Sequence, residues 1–158
     1  MSSPARSVVV AYDGSPESQV AVRTAAGLFP THRLVITSVW EPGLAMAAVP
    51  DPTGIGSLPA SGEAMAAVDR AQHDHAEEVA EDGVRLARES GAVAEAHPVE
   101  DELDVARTIA ELAARLDAGA IVVGSRGLGT VKSKLLGSTS AALLHHASTP
   151  ILVVRTPH

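Results

Sequence analysis

The chain contains no cysteine. That excludes disulfides, a thiol nucleophile and thiolate-held metals, and it fits a reducing compartment. Aromatic residues are nearly as scarce, with one Trp, one Tyr and one Phe among 158 residues. A single-strand nucleic-acid binder needs aromatic platforms on which bases stack, and this chain has almost none. Basic charge is not in excess either: 12 Lys and Arg stand against 19 Asp and Glu, a formal charge of −7. Without a basic face a nucleic-acid backbone cannot be neutralised. Any anionic ligand must then be held locally, by backbone amides and a few cations. No apolar run approaches the ~20 residues of a membrane-spanning helix. Met1 to Arg6 lack the apolar stretch of a secretory signal. The expectation is a soluble, cytoplasmic protein with no nucleic-acid or membrane partner.

What is present is aliphatic. Hydrophobic residues make up 46 % of the chain, enough for one domain over residues 1–158 with a core of Val, Leu, Ile and Ala. Ser7 to Ala11 is a β-branched run of the kind buried on both faces in a parallel sheet. Asp13-Gly14-Ser15-Pro16 follows as a turn, with Ser15 as N-cap and Pro16 at the first helical position. Ala21, Ala25 and Leu28 recur at helical spacing. Arg33 to Trp40 reads as a second strand, and residues from about 41 to 62 as a mobile loop rich in Pro and Gly. Helical spacing resumes from about Glu63 to Ser90, carried by Met65, Val68, Ala76, Val79, Gly83 and Leu86, and stopped by Gly91. Ala92 to Val99 is a weaker strand. Val105, Ile109, Leu112 and Leu116 mark a third helix, Ala120 to Val123 a strand, Ser138 to His146 a fourth helix, and Ile151 to Val154 a last strand. Strict alternation of strand and helix implies an open parallel sheet with helices on both faces. Ligands of such sheets bind beyond the carboxyl ends of the strands.

Asp13 and a glycine-rich segment both follow strands at those ends. The segment VVGSRGLGTVKSKLLGSTSAALL, residues 122 to 144, fails two familiar phosphate patterns. Gly124 and Gly129 have the Walker spacing, but Thr130-Val131 stand where Lys-Ser is required. Gly127-Leu128-Gly129 reaches Lys132 where a dinucleotide fingerprint needs its third glycine. A third pattern fits without a gap: Gly124, two residues, Gly127, nine residues, Gly137-Ser138. With the VVVAYDGS opening and the STPILVVR close, this loop resembles that of the nucleotide-binding universal stress proteins.

The resemblance implies a Rossmann-like α/β fold of the adenine nucleotide alpha hydrolase-like kind, with a five-stranded parallel sheet of order 3-2-1-4-5. It implies binding of ATP or a related adenine nucleotide, with or without Mg. Asp13 would face the ribose and adenine, and Val39 would meet the adenine through its main chain. Gly124, Gly127, Gly137, Ser138 and Thr139 would contact ribose and phosphates. The residues themselves agree. Gly124 and Gly127 admit a phosphate without a Cβ in the way, and Gly137-Ser138 opens a helix whose free N–H groups attract anions. Arg126, Lys132 and Lys134 would supply positive charge to the phosphate, the alternative being that they only solvate the surface. The alternative to this loop is a flexible connector, and the alternative to Asp13 as ligand is an Asx turn capping the first helix.

Other candidates are weaker. His73 and His75 lie two apart on a helix and so point to different sides. His145 and His146 are adjacent, with the same difficulty, and no metal site is expected. Asp101, Glu102 and Asp104 read as an acidic first turn. Trp40 is assigned to core or loop packing, the alternative being a cover for the adenine. No catalytic base emerges beyond Asp13, so a regulatory nucleotide-binding stress-response module is expected. The alternatives are a slow ATPase or nucleotidyl transferase, or a cyclic AMP-binding protein. Apolar at every position, the last strand would still lie at the sheet edge in the implied order, which invites a homodimer.

Overall fold

The computed structural model describes residues 6–42, 62–101, 104–125 and 137–156. The β-branched run near the start of the chain forms the central strand, β1 (Val8–Ala11). It is followed by α1 (Pro16–Leu28), β2 (Arg33–Thr37), β3 (Val39–Trp40), α2 (Gly62–Glu89), β4 (Val93–Ala96) and β5 (Val99–Glu100). The chain continues through α3 (Val105–Arg115), β6 (Ala120–Gly124), α4 (Ser138–His146) and β7 (Ile151–Val154). Five strands make one parallel sheet in the order β4-β2-β1-β6-β7. Numbered among themselves, those five read 3-2-1-4-5, because the two short strands β3 and β5 form a separate ladder.

Alternation along β1 assigns the two layers. Val8 and Val10 face α1 and α2, packing with Ala21, Val22, Ala25, Val84 and Ala87. Val9 faces α3 and α4, packing with Ile109, Leu112, Ala113 and Leu143. All three valines are fully buried, and burying one such side chain stabilises by about 1.5–3 kcal/mol relative to exposure. Register carries the pattern outward: Val9 lies opposite Val35 on one side and Ile121 on the other.

Two sequence expectations need correction. Arg33 to Trp40 is not one strand, nor is Ala92 to Val99. Each breaks, at Ser38 and at His97-Pro98, and the tips pair again as β3 and β5. Proline has no N–H for a ladder, so a break beside Pro98 follows from its chemistry. Val99 N–H then donates to Ser38 C=O (2.9 Å) and Asp101 N–H to Trp40 C=O (2.7 Å). The acidic stretch is also reassigned. Asp104 precedes α3 as its N-cap, accepting from Arg107 N–H at 2.9 Å; Glu102 lies outside the described residues. Of the expected loop 41–62, residues 43–61 lie outside them too, and Gly62 already belongs to α2. Among the described residues no helix is long and apolar enough to cross a membrane.

Helix α2 ends as expected. Gly91 takes φ +86°, Ala92 N–H donates to Ala87 C=O and Gly91 N–H to Arg88 C=O, the paired bonds of a Schellman stop. Its buried face is made of small residues, Ala76, Ala80, Gly83, Val84 and Ala87. Small size lets the helix sit close to the sheet. A Cβ on Gly83 would lie 2.6 Å from Ile36 Cγ2 and 2.9 Å from Tyr12 Cδ1. Neither is the loose end of a flexible chain. Gly83→Ala should therefore destabilise by about 1–3 kcal/mol through overpacking, against the alanine's better helix propensity. Urea unfolding should show a lower midpoint at unchanged slope; an unchanged midpoint would mean α2 can back away freely.

Candidate functional site

The site is built where β1, β2 and β6 run out. After β1 the chain turns on Gly14, whose φ of +80° suits glycine. Ser15 N–H donates to Asp13 Oδ1 (2.9 Å), and Ser18 N–H donates to Ser15 Oγ (3.2 Å), capping α1. The Asx turn thus exists. It does not consume the carboxylate, which retains acceptor capacity beyond Oδ1 at the edge of a cleft. Burial alone would push the Asp13 carboxyl up. Hydrogen bonds from the side chain and backbone of Ser15, then from Ser18 and the Asp13 amide, more than offset that and hold it below its ordinary value.

On the other side of the cleft, β6 delivers Gly124. A Cβ there would come within 3.2 Å of Glu17 O and 3.3 Å of Glu17 C, so this glycine has a packing reason of its own. It lets β6 end against the first turn of α1. The next residue, Ser125, is buried. Its N–H donates to Val154 C=O (2.7 Å), and its C=O accepts from Gly137 N–H (2.6 Å). These two bonds fasten the start of α4 to the ends of β6 and β7. Ser15 caps α1 and Asp104 caps α3, but Gly137 gives α4 no side-chain cap. The first intrahelical bond runs from Ala141 N–H to Gly137 C=O. The N–H groups of Ser138, Thr139 and Ser140 therefore have no partner within the helix. With the helix dipole behind them, they favour an anion.

The third wall is β3. Ser38 and Trp40 use their carbonyls toward β5, so strand alternation turns the N–H and C=O of Val39 to the opposite edge. Val39 lines the cleft, as do Asp13, Gly124 and Thr139. As it stands the cleft holds about 70 Å³ of free space and opens to solvent, so it is a shallow site smaller than the usual small-molecule pocket. Gly137 and Ser138 adjoin it at the helix start. Arg126 and Gly127, with Gly129, Lys132 and Lys134, lie outside the described residues.

Sequence reading missed Tyr12, Ser18, Thr37, Ser38, Val105 and Val123, which also line the cleft. For Thr37 a signal existed: a hydroxyl closing the otherwise apolar run Leu34-Val35-Ile36. Burial, reinforced by the nearby Asp82 and Asp13 charges, pushes the Tyr12 phenol up, so it is neutral at physiological pH. Elsewhere, His73, Asp74 and Glu77 approach one another within 4.8 Å but are all exposed. Trp40 packs edge-on against His73 with ring centroids 5.7 Å apart.

The Asp13 environment has a sign that can be checked. Its folded-state pKa lies below its unfolded value of ~3.9, so it contributes stability above that value and loses it as pH falls through the folded pKa. Asp13→Asn should lower the urea midpoint at neutral pH and flatten the decline in acid. Equal acid slopes for the two proteins would contradict this assignment.

Against this geometry stand the known proteins. The model of the Universal stress protein family matches residues 4–155. The universal stress protein in the QAH/OAS sulfhydrylase 3'region of Thermus aquaticus is 35 % identical over 153 residues, covering 95 % of this chain and 98 % of that protein. A universal stress protein of Mycolicibacterium smegmatis is also 35 % identical, over 150 residues and 93 % of this chain. The chain spans about half the length of such mycobacterial relatives (47 % in this case). Among solved structures, a universal stress protein in complex with cAMP is 25 % identical, with 98 % of this chain and 100 % of that one covered at a TM-score of 0.65. The Archaeoglobus fulgidus protein in complex with dAMP is 21 % identical, with 96 % and 98 % covered at a TM-score of 0.66; at that identity the likeness is one of fold. A family match spanning nearly the whole sequence, joined to a relative covered almost end to end, means that the chain belongs to the universal stress protein family.

Proposed function

We propose that the cleft binds an adenine nucleotide, ATP in particular, alone or with Mg, and that the protein is a regulatory module whose ligand biases its conformation or assembly in a stress response. One observation carries this reading: Asp13, the free main-chain edge of Val39, Gly124 and the uncapped start of α4 meet around a single cleft. In this reading the Val39 edge meets the base, Asp13 accepts from ribose hydroxyls, and Gly137, Ser138 and Thr139 present N–H and hydroxyl donors to phosphate. Arg126 and Gly127 would complete the phosphate contacts. Relatives solved with cAMP and with dAMP support the choice of an adenine nucleotide. Asp13 favours binding over hydrolysis. A carboxylate held below its ordinary pKa is a weak proton acceptor, whereas a general base works best with a pKa near the operating pH.

The homodimer belongs to the same proposal. Among the described residues β7 pairs with β6 alone, and Ile151, Leu152 and Val153 are only half-buried. Its outer edge keeps N–H and C=O groups available for a second copy.

On nucleotide-free protein, ligand at about 100 times its Kd should add ~2.7 kcal/mol. For a domain of this size that raises Tm by about 5–10 °C. ATP, AMP and cyclic AMP compared at millimolar concentration identify the preferred ligand. Gly127→Val should remove the shift while preserving the circular dichroism spectrum. No shift with any of the three would overturn the nucleotide reading. Light scattering at micromolar concentration should return twice the chain mass; a monomer would exclude the β7 dimer.

A further inference from the structure

Thr37 ends β2 directly opposite Ala11 of β1, and its C=O accepts from Tyr12 N–H at 2.9 Å. Its backbone is therefore spoken for. Its side chain is not. Thr37 is 1 % exposed, and its Oγ1 has no hydrogen-bond partner among the described residues. Buried side-chain hydroxyls are nearly always partnered, because leaving one without a bond forfeits its hydration for nothing.

The location makes this oxygen more than a packing defect. Ile36 faces the α1 and α2 layer and Val35 faces α3 and α4. By alternation Thr37 shares the Val35 face, together with Ala11 and Val123, and all three residues line the cleft. Val39, on the same face two residues on, carries the main-chain edge that the proposed function turns toward the base. Valine has nearly the shape of threonine, favours a strand as strongly, and would remove the unpaired oxygen. A threonine kept here costs the ligand-free protein stability that valine would not. Rotation about χ1 exchanges the staggered positions of hydroxyl and methyl, so the oxygen can reach a group entering from the cleft.

We propose that Thr37 is a ligand-recognition residue: its hydroxyl supplies the cleft floor with a hydrogen bond to the base of the bound nucleotide. This role rests on the nucleotide reading of the cleft. Because a hydroxyl both donates and accepts, it serves either a ring nitrogen or an exocyclic amine of the base. Val39 offers a main-chain donor and acceptor beside it, and Ala11, Val105 and Val123 add apolar surface to the same cleft.

The test compares wild type, Thr37→Val and Thr37→Ser by calorimetric titration with AMP, cyclic AMP and ATP, and by thermal melts without ligand. Thr37→Val should weaken all three ligands by a common factor of roughly three- to ten-fold, the net worth of one neutral hydrogen bond. A contact to phosphate would instead scale with the number of phosphates. Without ligand the same variant should melt at or above the wild-type temperature, since it loses an unpaired buried oxygen. Thr37→Ser keeps the hydroxyl and should stay closer to wild-type affinity than Thr37→Val does, even where the missing methyl lowers its Tm. If wild type binds and Thr37→Val binds equally well, the role of Thr37 is wrong while the nucleotide reading stands. Thr37→Ser binding as weakly as Thr37→Val would equally overturn it. If wild type binds none of the three, the nucleotide reading itself falls and takes this role with it.

Discussion

Val8, Val9 and Val10 are wholly buried, and β1 is hydrogen-bonded to β2 along one edge and to β6 along the other. A strand enclosed in this way has no room for polar side chains along its length. Polar groups are confined to its ends, and at the carboxyl end they find company. Parallel pairing brings the carboxyl ends of β2 and β6 to the same side of the sheet as that of β1, so the connection to each following helix leaves from there. Asp13, Thr37 and Gly124 are consequences of that constraint: each stands where an apolar strand stops.

How closely the layers approach then decides the shape of the edge. Gly83 brings α2 down onto Ile36 and Tyr12, while Gly124 brings the end of β6 against Glu17 at the start of α1. Neither glycine needs an unusual backbone angle; both are there because a Cβ would collide. At Gly124 this gives the residue two separate uses. The packing use is visible in the structure, and the ligand use follows only if the cleft binds phosphate or ribose as proposed. Treatment of the helix starts is equally selective. Ser15 and Asp104 satisfy α1 and α3 from within the chain, whereas α4 begins on a glycine that leaves its donors to another partner.

Strands and helices were legible because their signals are local and repeated. The valines of β1 and the spacing of Val105, Ile109 and Leu112 need no tertiary context, and Gly91 marks the end of α2 by its backbone freedom alone. The breaks at Ser38 and at His97-Pro98 were not legible. They depend on β3 and β5 finding each other outside the main sheet, a pairing between residues some sixty apart that no local window contains. At the cleft, Asp13, Val39, Gly124 and Thr139 were named from motif and resemblance. Tyr12, Ser18, Ser38, Val105 and Val123 enter through packing geometry, and their identities would be unremarkable anywhere else in the chain. The burial of Thr37 likewise depends on the whole sheet, so only the anomaly of its hydroxyl could be seen beforehand.

The central claim is that an adenine nucleotide sits at the carboxyl ends of β1, β2 and β6 against the start of α4. Amide chemical-shift mapping by two-dimensional NMR, with AMP titrated into isotopically labelled protein, tests the location directly. The account predicts shifts concentrated at Asp13 to Ser18, Ser38 and Val39, Gly124 and Ser125, and Gly137 to Ser140. A second depression lies between α3 and α4, bordered by Arg107, Glu111 and His146. Shifts centred there, with the strand ends unmoved, would contradict the account.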